Sequence, residues 1–236
     1  MTEAEQVRRW LTRSSLFGDL ETGDLDPLVS LCRRRELARG QMLFNQGDEA
    51  DGLYIVTEGI LRIVLVAGDG RELTLNLMEP GDVVGEISLL DGLPRSAGAI
   101  ALTDVSCLAL SRTDFEVAMD ENPGLSRQII YALCELLRRN TSIIGDRAFL
   151  DLRGRLCRLL SALAIGHGRP GDDGATEIAV PITQSDLATM LGATREAVNK
   201  QMNALAKVGL VRLAHGRALI LDRDGLAEIT EEQAAG

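Results

Sequence analysis

The sequence predicts an α+β chain: an N-terminal β jelly roll, one long helix, and a C-terminal helix-turn-helix with a wing. Three observations predict it. Short β-prone runs alternate with glycine-rich turns from about residue 15 to 116. A long helical run follows Asn122-Pro123, with only Gly145 interrupting it beyond the first turn. The stretch "QSDLATMLGATREAVNKQMNAL" (Gln184–Leu205) has the spacing of two helices joined by a tight turn. The expected divisions are a β-domain over 1–121, a linking helix and hinge over 122–152, and a helical domain over 153–236.

The strands are read from "QMLFN", "LYIVT", "ILRIVLV", "ELTLNLM" and "VSCLALS". Between them lie turn pairs such as Gly47-Asp48 and Gly81-Asp82 and the triplet Gly68-Asp69-Gly70. "ELTLNL" alternates, with Leu73, Leu75 and Leu77 on one face.

In the long helix Asn122 suits the N-cap, and Pro123 suits the first helical position because its missing N–H costs nothing there. Two apolar stripes run along it. One is Leu125, Ile129, Ala132, Leu136 and Ile143; the other is Ile130, Leu133, Leu137, Asn140 and Ile144, at alternating steps of three and four. A helix with two apolar faces buries both. One face is expected on the β-domain and the other, Ile130 to Ile144, on the same helix of a second chain as a parallel coiled coil. A single Asn in such a ladder sets register, which is one role open to Asn140.

From Leu152 the chain reads as an amphipathic helix, then a surface loop "HGRPGDDGA", the helix pair, and a closing hairpin "VRLAHGRALIL" with His215-Gly216 at its tip. Within the pair, Ala188 is small where two helices cross, Gly192 supplies a left-handed turn residue, Thr194 is an N-cap and Val198 an apolar anchor. An ordinary antiparallel helical hairpin has similar features; the added wing favours a DNA reader. Arg195, Glu196, Asn199 and Lys200 share one exposed face at the start of the second helix. These residue types reach base edges in a major groove. Thr183, Gln184, Ser185 and Thr194 lie at helix ends, where side chains and N–H groups meet phosphates. A solvated first turn, with Glu196 favoured by the helix dipole, is the plainer alternative.

Composition bounds the function. The chain has 236 residues, 45% apolar and 25% charged, with a formal net charge of −10. Residues 1–153 carry 16 basic and 25 acidic side chains, whereas 183–217 carry five basic against two acidic. A small basic patch on an acidic body suits a specific DNA reader rather than a general nucleic-acid binder. No spanning segment or secretory signal is read, and Cys32, Cys107, Cys134 and Cys157 lack CxxC spacing. A cytoplasmic chain with reduced, mostly buried thiols and no membrane association is expected.

The remaining charged feature is "GEISLLDGLPRSA" (Gly85–Ala97), which sets Glu86 and Arg95 in an apolar, glycine-rich run. Successive N–H groups around Gly85–Ser88 can open a helical turn suited to an anion. Arg95 and Ser96 add a guanidinium and a hydroxyl, suiting a phosphate, while Glu86 accepts from a sugar hydroxyl. Phosphate and ribose hydroxyl in one small pocket describe a cyclic nucleotide. A buried Glu86–Arg95 ion pair stapling two loops explains the same residues equally well at this point.

"GEISLLDGLPRSA" resembles the phosphate-binding cassette of cyclic-nucleotide-binding domains: G-E-(I/L)-(A/S)-L, a gap, then R-(S/T)-A. With the glycines of the β-segment, the long helix and the helix-turn-helix, residues 15–222 resemble the CRP/FNR (cyclic-AMP receptor protein/fumarate–nitrate regulator) family of bacterial transcription factors. "AFLDLRGRL" (Ala148–Leu156) resembles that family's hinge, here Phe149, Leu150 and Asp151.

The resemblance implies that Gly85, Glu86, Ile87 and Ser88 line the ribose-phosphate side, with Glu86 on the ribose 2′-hydroxyl and Arg95 and Ser96 on the cyclic phosphate. It places the base at Asn140 and Thr141, where relatives often carry Thr-Ser. A family arginine on that helix aligns with Leu136. Arg195, Glu196 and Lys200 fall on the base-reading positions, the last being arginine in many relatives.

The resemblance thus implies a homodimeric regulator whose effector is cAMP, or second cGMP, with double-stranded DNA and RNA polymerase as partners. The polymerase contact is placed by analogy on His167–Gly174. Clustered N-terminal cysteines for an iron–sulfur cluster and a β-domain histidine for haem are missing from the sequence, so neither group nor a metal is expected. No nucleophile–base pair presents itself and no catalytic residue is assigned. Two other readings stay open: a regulator of this type answering to another ligand or to none, and a nucleotide-binding protein with a vestigial DNA domain.

Overall fold

The computed structural model describes residues 2–18, 20–171, 174–214 and 217–235. The chain divides into two compact units, Met1–Leu137 and Arg138–Gly236.

The first unit begins with two helices, α1 (Glu3–Leu11) and α2 (Thr22–Leu31). Thr2 and Glu5 form a reciprocal capping box at the start of α1. Eight strands follow: β1 (Arg33–Leu37), β2 (Met42–Phe44), β3 (Gly52–Glu58), β4 (Leu61–Val66), β5 (Glu72–Met78), β6 (Val83–Val84), β7 (Gly98–Ala101) and β8 (Val105–Ser111). Helix α3 (Glu86–Asp91) sits between β6 and β7, and α4 (Arg112–Glu121) follows β8. The strands form two antiparallel four-stranded sheets, ordered β1-β8-β3-β6 and β2-β7-β4-β5, which is the expected double-sheet roll.

Strand β3 explains how the layers hold together. Its first six residues are all buried because both faces of its sheet are covered. Tyr54 and Val56 face the inter-sheet core with Leu61, Val84, Ala99 and Cys107. Leu53 and Ile55 face a second core, built with Leu11, Phe17, Leu25, Leu28 and Phe115 beneath the helices.

Four expectations need correction here. The segment 15–116 is not β-structure throughout: α2 and α3 lie within it and α4 begins there. Pro27 sits inside α2, whose periodicity is weak, so the pattern does not announce a helix. In β5 the buried side chain is Thr74, while Leu73, Leu75 and Leu77 are half-buried; β5 lies at a sheet edge and pairs with a bulged β4. The remaining two corrections concern the second unit.

The long helix α5 runs from Pro123 to Phe149. Asn122 accepts from the N–H groups of Gly124 (2.9 Å) and Leu125 (3.3 Å), capping it as the sequence predicts. Leu125 and Ile129 are buried in the helix-side core of the first unit, with Ala132 and Leu133 packed against it. Leu133 is therefore shared between the two predicted stripes. Ile130, Leu137 and Ile144, seven residues apart, are 58%, 65% and 67% exposed.

In the second unit α6 (Leu152–His167) starts at Asp151, whose carboxylate accepts from the Gly154 N–H at 2.8 Å. The chain after it is not simply a loop: β9 (Gly168–Pro170) pairs with β10 (Thr176–Ile178), fastened by an Arg169–Glu177 ion pair at 3.1 Å. Helices α7 (Gln184–Leu191) and α8 (Arg195–Lys207) follow, then β11 (Val211–Ala214) and β12 (Arg217–Ile220), in a sheet ordered β11-β12-β10-β9. The chain does not end on this hairpin. Helix α9 (Arg223–Ala235) follows and packs against α6, with Leu226 fully buried. The wing tip, His215-Gly216, lies outside the described residues.

Gly192 closes α7 at φ 61° and ψ 41°, the left-handed conformation a side chain resists. Gly192→Ala is expected to lower stability by about 1–2 kcal/mol. Urea unfolding followed by far-UV circular dichroism checks this. The single tryptophan, Trp10, lies in α1 and reports the first unit, so its fluorescence midpoint should stay in place.

Candidate functional site

The cassette forms where α3 follows β6. Gly85 precedes α3 with φ 94°, and a Cβ there would lie 2.5 Å from Arg95 Nη1. Glycine is thus required twice, for its backbone angle and for the space the guanidinium occupies. The Arg95 backbone is pinned to the preceding turn: its N–H donates to the Asp48 carbonyl and its carbonyl accepts from the Gly47 N–H, both at 2.8 Å.

The Arg95 side chain is 1% exposed. Its Nη1 donates to the Gly85 carbonyl at 2.8 Å, and Nη2 donates to the Gly52 carbonyl at 2.6 Å and to Asp51 Oδ1 at 2.8 Å. The guanidinium carbon lies 4.2 Å from the centre of the Phe44 ring, a cation–π contact. Among the described residues Nε has no hydrogen-bond partner. The ion pair that holds Arg95 is therefore with Asp51, not with Glu86, which corrects the stapling alternative. An aspartate in the turn "GDEADG" reads as solvated, and only its place directly before a fully buried strand could have marked it.

Asp51 is itself supported. Its Oδ2 accepts from the Tyr54 hydroxyl at 2.6 Å, and that hydroxyl accepts from Arg35 Nη1 at 3.1 Å. Partial burial pushes the Asp51 carboxyl up, but bonds from Tyr54, Arg95 and its own backbone N–H, with the charge of Arg95, outweigh this and hold it below 3.8. Tyr54 shifts upward, through burial and then its bond to Asp51, so it stays a donor.

Glu86 and Ser88 lie on α3, Glu86 partly exposed and Ser88 buried; Ile87 and Ser96 are exposed. Burial raises the Glu86 carboxyl above 4.5, opposed by backbone N–H groups at 86 and 85 and by the charge of Arg95. A carboxylate held against its own desolvation, beside a guanidinium with a spare donor, suits a ligand bearing both a hydroxyl and an anion. Arg112 steadies this short helix: its Nη2 donates to the carbonyls of Leu89 (3.3 Å) and Ser88 (3.5 Å).

Asn140 and Thr141 are exposed on α5. At its end Phe149 is 75% exposed while Leu150 is buried. Asp151 caps α6, and its backbone N–H donates to the Gln233 side chain at 3.3 Å.

In the second unit Thr183 and Thr194 cap α7 and α8. Val198, Met202 and Leu205 bury one face of α8, which turns Arg195, Glu196, Asn199 and Lys200 outward. Arg195, Glu196 and Lys200 make no ion pair with the described residues, whereas Asn199 Oδ1 accepts from Asn203 at 2.9 Å. Thr183 and Ser185 are exposed and Gln184 half-buried.

Burial pushes the Cys32, Cys107 and Cys157 thiols up to about 11, so they stay protonated at neutral pH and act as core residues. Among the described residues no group of three His, Cys, Asp or Glu is placed to hold a metal ion. No helix there is long and apolar enough to cross a membrane.

Residues 34–122 match the cyclic nucleotide-binding domain family, and residues 154–229 match the Crp-like helix-turn-helix domain family. The chain is 33% identical over 217 residues to the CRP-like cAMP-activated global transcriptional regulator of Mycobacterium tuberculosis, covering 92% of this chain and 96% of that protein. It is equally similar, 33% over the same shares, to the cyclic AMP receptor protein of Thermus thermophilus. A solved CRP/FNR family transcriptional regulator from Thermus thermophilus superposes with a TM-score of 0.73 at 28% identity, over 85% of this chain and all of that one. The cassette, the helix-turn-helix and these relatives together place the chain in the CRP/FNR family, as a CRP-like transcription regulator with a cyclic nucleotide-binding domain and a DNA-binding helix-turn-helix.

Proposed function

We propose that the chain acts as a homodimer whose affinity for a two-fold symmetric DNA site is set by a cyclic nucleotide, cAMP first and cGMP second. The observation that carries this is Arg95: a buried guanidinium with an unpartnered Nε, beside the glycine-led start of α3. The names of the two relatives, both of which refer to cAMP, support that order of ligands.

In this reading Arg95 and Ser96 take the cyclic phosphate, Glu86 takes the ribose hydroxyl, and Gly85, Ile87 and Ser88 line that side. Asn140 and Thr141 are assigned to the base on the resemblance alone. Ile130, Leu133, Leu137, Asn140 and Ile144 form the dimer seam, and the exposure of Ile130, Leu137 and Ile144 supports it. Arg195, Glu196 and Lys200 read base edges with Asn199 beside them, while Thr183, Gln184, Ser185 and Thr194 approach phosphates. Phe149, Leu150 and Asp151 act as the hinge. RNA polymerase is the expected further partner and 167–174 its expected contact, where 172 and 173 lie outside the described residues. Nothing in the reading calls for catalysis, and the cytoplasm is the compartment where such a regulator works.

Ligand and DNA must strengthen each other by one coupling energy, about 1–3 kcal/mol or a 5- to 150-fold change in affinity. Operator selected from random DNA, titrated by fluorescence anisotropy with and without saturating cAMP or cGMP, is expected to show that change. Unchanged affinity with both nucleotides rejects the switch and leaves a regulator with another ligand or none.

Glu86→Gln separates binding from stability. The folded carboxyl sits above its unfolded value, so its favourable contribution is complete at low pH and lost as pH rises through the folded pKa. At neutral pH the charge therefore costs stability. The neutral isostere should melt at the same or a higher temperature, yet bind cyclic nucleotide about 10- to 100-fold more weakly by calorimetry.

Leu137→Glu sets like charges across the proposed seam. It is expected to weaken dimerisation at least about a hundredfold, read by sedimentation, with the secondary structure retained.

A further inference from the structure

Helix α6 follows the hinge, and its first turn is capped in two halves that come from distant parts of the chain. Asp151 is the N-cap, and its Oδ1 accepts from the Gly154 N–H at 2.8 Å. In a capping box the residue at that third helical position, usually Glu or Gln, reaches back to the N–H of the cap residue. Here the third position is glycine and has no side chain to do so. The Asp151 N–H donates instead to Gln233 Oε1 at 3.3 Å. A Cβ at position 154 would overlap that oxygen and lie 3.0 Å from Gln233 Cδ. Gln233 thus takes the place of a side chain at 154 and makes the bond that side chain would make.

Gln233 is delivered by α9. Leu226, Thr230 and Gln233 follow at steps of four and three, on one face of that helix. Leu226 and Thr230 are buried and Gln233 is half-buried, where α9 packs on α6. Gln233 lies beyond residue 229, where the helix-turn-helix family match ends. The Asp151 carboxyl is held below 3.8 by the Gly154 N–H, against its own burial, and then by the Gln233 side chain and the Arg153 N–H. Gln233 therefore meets both the N–H and the carboxylate of the cap residue. The contact also sets where α5 stops. The Leu150 N–H still donates to the Asp146 carbonyl at 3.0 Å, in the i to i−4 pattern; the next N–H, that of Asp151, leaves the ladder for Gln233. On the other side the Arg155 N–H donates to the Asp151 carbonyl at 3.0 Å, and α6 begins.

We propose that Gln233 is a positioning residue for the hinge: from α9 it completes the capping box of α6, holds the break between α5 and α6 at Asp151, and so makes α9 part of the path from nucleotide to DNA. This rests on the switch proposed above, in which residues 149–151 are the hinge. Without Gln233 the Asp151 N–H is free to turn to the Arg147 carbonyl, four residues back, and carry α5 further. The start of α6 is then no longer fixed and has to be ordered when DNA binds, which weakens binding.

The test titrates the full chain on its selected operator by fluorescence anisotropy, with and without saturating cAMP or cGMP. Gln233→Ala is expected to weaken nucleotide-saturated operator binding about three- to tenfold, the influence of one cap hydrogen bond, and to shrink the gain that nucleotide confers. Nucleotide affinity without DNA, read by calorimetry, should not move. Gly154→Ala should act in the same way, because its Cβ displaces the Gln233 oxygen, and the two changes together should lose no more than one alone. Gly154→Gln in the Gln233→Ala chain returns an amide to the third position and should restore most of the gain, which a general loosening of α9 would not allow. Amide hydrogen exchange at Asp151, faster in Gln233→Ala, reads the cap directly. An unchanged gain in Gln233→Ala, or additive losses with no rescue by Gly154→Gln, overturns the positioning role. A wild type whose DNA affinity ignores both nucleotides rejects the switch instead; operator affinity alone then decides, and an unchanged value in Gln233→Ala overturns the role as well.

Discussion

A guanidinium at 1% exposure ties together four parts of the first unit. Taking such a charge out of water costs several kcal/mol unless it is paired and hydrogen-bonded. The chain meets that requirement with groups from four places: the carbonyl before α3, the start of β3, the Asp51 carboxylate and the Phe44 ring. Each demands something of the sequence. Position 85 must be glycine, because a side chain would occupy the guanidinium's place. The turn 47–52 must hold Arg95 by its backbone as well as its side chain. Tyr54 must keep its hydroxyl in an otherwise apolar core to brace the carboxylate. Even so, Nε is left unsatisfied, at a cost of about 1–3 kcal/mol for a buried polar donor. Replacing a buried ion pair by apolar side chains of similar size is often neutral or stabilising, so a charge kept here with an unspent donor is in keeping with the ligand role proposed above.

Much of this is legible in the sequence. The strands around Leu53, Ile63 and Leu108, the helix capped by Asn122, and the helix-turn-helix with Gly192 and Thr194 announce themselves through period, caps and turn residues, which are local properties. The elements that escape are those whose local signals conflict. Helix α2 carries a proline in its interior; β1 is "RRREL", whose charges are tolerated because only Leu37 is buried. Helix α9, which follows the hairpin on which the sequence reading closes, buries Leu226 and Thr230 against the unit. Within the cassette, Glu86 and Arg95 stand out because charges in an apolar run are rare. Asp51 does not, because an acid in a charged turn is the commonest sight on a protein surface. Partnership between residues 44 apart in sequence is a tertiary property, visible only once β3 and the cassette are folded together.

The same distinction applies to the long helix. Its periodicity shows two apolar stripes but not where one ends. The structure assigns Leu125 and Ile129 to the core of the first unit, with Leu133 half-buried beside them. What remains outward is the seven-residue series Ile130, Leu137 and Ile144, each more than half exposed. A lone chain exposing such a series pays for it in solubility, and a self-complementary seam is the closed, symmetric way to cover it. The sequence period and the observed exposure thus agree on the same three residues from independent directions.

That seam bears on how a weakly basic reader could hold DNA. The region 183–217 has only five basic side chains, so one copy would neutralise few phosphates. In the proposed dimer the second reader is tethered near the first, and its binding becomes intramolecular, at an effective concentration set by geometry. If the two recognition helices are held about 34 Å apart, one turn of DNA, both engage; if not, the tether gives nothing. Modest charge is then an advantage. A reader that bound strongly by itself would occupy DNA whatever a ligand did, whereas one that depends on spacing would make occupancy follow the geometry selected in the proposed switch. The acidity of residues 1–153, with 25 acidic against 16 basic side chains, works in the same direction by opposing non-specific contact.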